Sequence, residues 1–99
     1  MPTDAALPVA GLPGAEIVER GLADLHAGRE TQAALLLSMA APRLRDLGIE
    51  VPPTGVARPS HQLYELLCRD DQASAHSAYN ALVGRIVSFA RAAEHARAG

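Results

Sequence analysis

From Ala73 to Ala98 the apolar residues Tyr79, Leu82, Ile86, Phe89 and Ala93 return at alternating steps of three and four, and Val83, Val87 and Ala90 widen the stripe. That period is one face of an α-helix. The spacing predicts a long C-terminal helix packed against something. Its apolar arc is broader than one neighbouring helix needs in a domain of this size.

The same period recurs upstream, bounded by start and stop signals. Val18, Leu22 and Leu25 predict a helix from Gly14 to about Ala27. Glu16 in its first turn suits the positive end of the helix dipole, and Gly28 is placed to end the helix in a left-handed C-cap. The Thr31 hydroxyl can accept from the amide of Ala33 or Ala34 and so cap a second helix, Thr31 to Leu47. A connection this short predicts a helical hairpin. The centre of the second helix, Ala33 to Ala41, is apolar nearly all round, the pattern of a helix enclosed on several sides. Pro42 has no amide to offer the carbonyl of Ser38, which predicts a kink or a restart at that point.

Gly48 to Pro59 contains Pro52, Pro53, Gly55 and Pro59, a composition that excludes regular helix and predicts a linker. Ile49, Val51 and Val56 are the residues able to tack it onto a core. Ser60 is placed to cap a third, short helix to about Arg69, with Leu63, Leu66 and Leu67 inward and Tyr64 at its edge. Asp70 and Asp71 mark the bend into the long helix, one of them as its cap. At the other end, Pro2, Pro8 and Pro13 predict an extended N-terminal arm over Met1 to Pro13, which leaves 14–99 as a single helical domain. No segment alternates as a half-buried strand does. The fold class is therefore all-α: a compact bundle of about four helices, with a hairpin of helices 1 and 2, a proline-rich linker, a short third helix and a long fourth.

Composition narrows the function more than it identifies it. The 99 residues suit one domain, at a size where oligomerisation often adds stability, and the expectation is against a multi-step enzyme with its own cofactor domain. Hydrophobic residues make up 48% of the chain but aromatics only 3%, so alanine supplies much of the apolar surface. All nine basic residues are arginine, a bias such as a high-GC bacterial genome produces. A net charge of −2 gives no general footprint for nucleic acid. Arg85, Arg91 and Arg97 share the long helix and are the residues for a DNA-associated regulator, a secondary reading. The apolar second helix also lacks the polar side chains by which a recognition helix reads base edges.

A lone Cys68 excludes an internal disulfide, and the longest apolar run is far short of the roughly 20 residues of a membrane span. With no basic leader before an apolar core, the expectation is a soluble cytoplasmic protein without a membrane role.

Chemistry-bearing residues are sparse. His61 and Glu65 stand at i, i+4, and with His76 they form the candidate metal set for a helical bundle. Glu-x-x-His pairs are missing, and solvated histidines account for the same residues. Asp70, Asp71 and His76 could make an acid–base pair, but capping explains the aspartates. Cys68 reads as a small core residue. Glycine-rich phosphate loops, a P-loop lysine and Gly-x-Ser-x-Gly are all absent from the chain. No cofactor is expected, and a non-catalytic protein is preferred to an enzyme. What remains is the surplus apolar arc of the long helix. Tyr79, Leu82, Val83, Ile86, Val87 and Phe89 are the candidate interface, for a homodimer or another protein partner.

Overall fold

The computed structural model describes residues 11–98, with the side chain of Ala98 left aside. Four helices follow one another without a strand among these residues: α1 (Ala15–His26), α2 (Gln32–Asp46), α3 (Pro59–Asp70) and α4 (Ala75–Ala98). A 3-10 turn, Gln72–Ser74, leads into α4. This is the expected all-α bundle with its short third and long fourth helix. The arm expected over Met1 to Pro13 lies mostly outside the described residues. Its last part is ordered around Leu12, whose side chain packs on the core and whose carbonyl accepts from the amide of Ala15.

Gly14 holds the N-cap of α1 with φ 77°, and a Cβ there would stand 3.0 Å from the carbonyl oxygen of Arg85. The start of α1 thus leans directly on the backbone of α4. One turn from its end, α1 crosses α2 at Gly21. A Cβ at Gly21 would lie 2.5 Å from Cγ of Leu37 and 2.7 Å from the carbonyl oxygen of Ala33. Only glycine allows the two backbones this close. The α1–α2 connection is then closed by Asp24, the one charged residue among the buried set. Its Oδ2 accepts from the Thr31 hydroxyl at 2.5 Å, and its Oδ1 accepts from Nε and Nη2 of Arg29 at 3.2 and 3.0 Å. The same Thr31 hydroxyl accepts from the amide of Ala34 at 3.2 Å and so caps α2, as its sequence position predicts.

α2 packs against all three other helices. Leu35, Leu36, Leu37 and Leu44 are essentially inaccessible to solvent, and with Val18, Leu63 and Phe89 they form the centre of one core drawn from every helix. The helix does not restart at Pro42, which lies inside a single run from Gln32 to Asp46. Packing on three sides holds this turn in place although the carbonyl of Ser38 receives no amide from Pro42. Ser38 turns its hydroxyl back to the carbonyl of Ala34 at 3.0 Å. Beyond Gly48 the linker is pinned by buried Ile49 and Val51, and Nη2 of Arg45 donates to the Val51 carbonyl at 2.8 Å.

α3 begins two residues earlier than the Ser60 cap implies, with Pro59 in the first turn and Arg58 as N-cap without a side-chain bond. Proline suits that position because its φ is already helical and the missing amide would have no partner there. Asp71 caps the 3-10 turn by accepting from the amide of Ala73 at 3.1 Å. No helix among the described residues is long and apolar enough to cross a membrane.

Two consequences are measurable. Gly21→Ala should destabilise the fold by about 1–3 kcal/mol through overpacking, although alanine is the better helix former by roughly 1 kcal/mol. Urea unfolding reads the difference, and a variant as stable as the natural chain would show that α1 and α2 can move apart without loss.

The Thr31 hydroxyl, then Arg29, holds the Asp24 carboxyl below the ordinary carboxylate range. Arg43 does the same for Glu94, and the backbone amide of Glu16, with Arg85, for Glu16. Each folded-state value is depressed, so these groups stabilise the fold above the unfolded carboxylate range and lose that contribution as pH falls through it. Thermal melts should be flat near neutrality and drop below about pH 4. Asp24→Asn should melt lower at neutral pH and show a shallower acid drop. An unchanged acid profile in this variant would remove Asp24 from the account.

Candidate interaction surface

The long helix uses its circumference unevenly. Ile86, Phe89 and Ala93 point into the core and are almost fully buried, so two of the six residues in the expected interface are enclosed by the chain itself. Tyr79 and Leu82 are half-buried against that core. Val83 and Val87, one turn apart, are half-exposed on the flank facing α2. There they line a groove of about 310 Å³ together with Met39, Ala40, Pro42 and Ala90.

The groove exists because α2 and α4 run side by side over their C-terminal halves, and arginines hold them in that register. Nε and Nη2 of Arg43 donate to the two carboxylate oxygens of Glu94 at 2.8 and 3.0 Å, a forked pair from α2 to α4. Further along, Arg97 of α4 donates to the carbonyl of Asp46 in the last turn of α2. That carbonyl is one of those a helix end leaves without an intrahelical partner. The proline ring at Pro42 adds an apolar wall without a donor. Arg43 is the charged residue lining the groove, and it is already neutralised by Glu94. Between α3 and α4, Tyr64 meets Tyr79 edge-on, with ring centroids 5.7 Å apart. Tyr64 is the large hydrophobic residue left most open, at 37% exposure. Pro42 and the two valines are legible in the sequence as separate features. Their meeting in one groove depends on the parallel arrangement of α2 and α4, which shared core packing and the arginine contacts accompany and no local pattern reveals.

The arginines expected to serve nucleic acid are differently placed. Nη2 of Arg85 donates to Glu16 Oε1 at 2.5 Å and ties α4 to the first turn of α1. Arg97 is engaged with Asp46, and Arg91 is exposed near Glu94, whose carboxyl it helps to keep ionised. The three do not form a free basic stripe.

Of the candidate metal set, His61 Nε2 and Glu65 Oε2 lie 3.2 Å apart on α3, while His76 pairs with Asn80 at 3.3 Å on α4. Among the described residues, no three His, Cys, Asp or Glu side chains gather in a way that could hold a metal ion. The expected set is thus split into two exposed pairs. Cys68 is half-buried and Asp71 is occupied as a cap.

A second, more polar groove of about 550 Å³ runs over Ile17, Ala33, Leu66 and Leu82 between α1 and α4. Its rim mixes Arg20 and Arg85 with Asp24 and Glu30, and two of these four are already paired within the chain. Such a rim selects no one charge of ligand.

No protein family, curated protein or solved structure matches this chain.

Proposed function

We propose that the chain is a small non-catalytic helical interaction module that associates with itself through the α2–α4 groove. The observation that carries this reading is the groove itself: half-exposed Val83 and Val87 beside Met39, Ala40 and Pro42, with its one lining charge already compensated. Interface cores are depleted in charge and rich in apolar groups, and this patch shares that character, with core residues Ile86 and Ala90 as its floor and half-exposed Val83 and Val87 on its flank. The Tyr64–Tyr79 pair between α3 and α4 supplies the type of side chain that anchors contacts. A reducing, cytoplasmic setting suits a module whose lone cysteine is half-buried. The DNA-associated reading has less support, because Arg85 and Arg97 make contacts within the fold.

The test separates interface from core. Light scattering coupled to size exclusion, over a wide range of concentration, should give twice the 10.4 kDa chain mass. Val87→Asp should return the monomer mass with its helical circular dichroism intact, since this side chain is half-exposed. Phe89→Asp should instead unfold the chain by burying an unpaired charge. A strictly monomeric natural chain at the highest concentrations would sink the self-association reading, and salt-sensitive retention on DNA would move support to the secondary one.

A further inference from the structure

The described chain starts at Gly11, and Leu12 is its first side chain on the core. Two residues on, Gly14 lies against α4, where a Cβ would stand 3.0 Å from the carbonyl oxygen of Arg85 and 3.5 Å from Cβ of Phe89. Residues 1–10 therefore join the fold beside the middle of α4, on the side where α1 begins. The groove at Val83, Val87 and Ala90 is on the other side of the same turns. The direct way between the two is filled by core residues Ile86 and Phe89.

The open way round leads over Gly84. With 3.6 residues per turn, the exposed arc of α4 from Arg85 to Val87 passes Ser88 and then Gly84. Glycine is the least favourable residue in a helix interior after proline. Gly11, Gly14, Gly28 and Gly48 take left-handed backbone, Gly21 admits α2, and Gly55 lies in the proline-rich linker. Gly84 has none of these reasons, and a Cβ there would meet nothing within 4 Å among the described residues. The face around it is also poor in charge. Between Ala75 and Ala90, Arg85 is the only acidic or basic residue apart from His76, and Arg85 is turned to Glu16 of α1.

Resting on the role proposed for the groove, we infer that its occupant in the free chain is the chain's own segment 4–10, which crosses α4 at Gly84 and covers Val83 and Val87. A second copy then binds by displacing this segment. Reach allows the crossing. An arc of roughly 160° at about 8 Å from the helix axis is about 22 Å long, and ten extended residues span up to about 33 Å.

The chemistry of the segment matches the face it would cover. Residues 5–10 carry no charge and hold Leu7 and Val9 among alanines, and Asp4 is the one charged side chain in residues 1–10. Pro8 has no amide to leave unsatisfied on an apolar surface. A glycine at position 84 lets the crossing backbone come close where a side chain would hold it off. Concentration favours the chain's own segment over a second copy. A segment on so short a tether acts at a local concentration in the millimolar range, which dilute protein does not match.

The test uses the full chain at concentrations where it is monomeric. In a Cys68→Ser background, the thiol of Val87→Cys should react with a maleimide about tenfold faster once Leu7 and Val9 are both replaced by Asp, as for a cover closed about nine-tenths of the time. Gln62→Cys, exposed on α3, should react at one rate with and without the aspartates. With Cys68 and Val87 in place, the Leu7→Asp/Val9→Asp chain should dimerise about tenfold more tightly at unchanged circular dichroism.

Equal rates at Val87→Cys with and without the aspartates would overturn the inference. The self-association reading would still stand if Val87→Asp dissociates the dimer. Loss of the dimer in the Leu7→Asp/Val9→Asp chain would also overturn it, because the segment would then be exchanged between copies instead of covering its own groove. A natural chain that stays monomeric, yet labels faster with the aspartates, would remove self-association and leave the segment as the occupant.

Discussion

The contact on which the rest depends is the crossing of α1 and α2 at Gly21. With a virtual Cβ only 2.5 Å from Leu37 and 2.7 Å from a backbone carbonyl, the separation of these helices is set by the absence of a side chain. The hairpin then closes toward its turn, where Asp24 meets Thr31 and Arg29. Thr31 serves both links at once, donating to the carboxylate and accepting from the first turn of α2. A buried carboxylate is costly unless its lone pairs are occupied, and here three donors occupy them. With this hairpin tight, α2 is presented to α3 and α4 as a fixed central rod.

The opposite end of α2 is held by arginine. Arg43 reaches Glu94, Arg45 reaches the linker at Val51, and Arg97 comes back from α4 to the carbonyl of Asp46. The planar guanidinium can make two parallel bonds to a carboxylate and also donate to single carbonyls. In a chain without lysine, its cations become the ties between elements. Exposed pairs of this kind contribute little stability individually. Their effect is on register. They join the C-terminal ends of α2 and α4, whose buried faces meet in the shared core, close to where Met39 and Pro42 lie beside Val83 and Val87, and they engage Arg43 and Arg97 within the fold.

Where helices begin and end was legible because the signals are local. The Thr31 cap, the left-handed Gly28, the Asp71 bend and the linker prolines each act within a few residues of where they stand. Two starts are displaced: α3 is capped at Arg58 instead of Ser60, a choice between two valid local signals, and Asp71 caps the 3-10 turn Gln72–Ser74, so that the long helix begins at Ala75 instead of Ala73. Pro42 was legible as a fault in the ladder but not as one that packing on three sides would carry. The meaning of Gly21 was not legible, since a glycine inside a helix has the same local effect whether or not another backbone approaches it. The candidate surface was half legible for the same reason. Periodicity identified the stripe on α4 but could not divide it between core and flank, because Phe89 and Val87 differ only in which neighbour arrives. That division belongs to long-range contacts.

Gly21 and Gly84 make this point in opposite directions. Both weaken their helices by similar amounts in isolation. At Gly21 the loss is offset inside the chain, where the close crossing brings Leu37 and Ala33 into contact with α1. At Gly84 nothing among the described residues offsets it. A long helix gains most of its stability from packing of its apolar face, and among the described residues α4 packs one side of its length. Its other side combines low charge, two half-exposed valines and a glycine with open space around it. A face that served only to meet water would favour alanine and charged residues, which strengthen an exposed helix through propensity and i, i+4 pairs. The two glycines therefore part at the level of long-range contact: Gly21 admits a second backbone, and at Gly84 none approaches among the described residues.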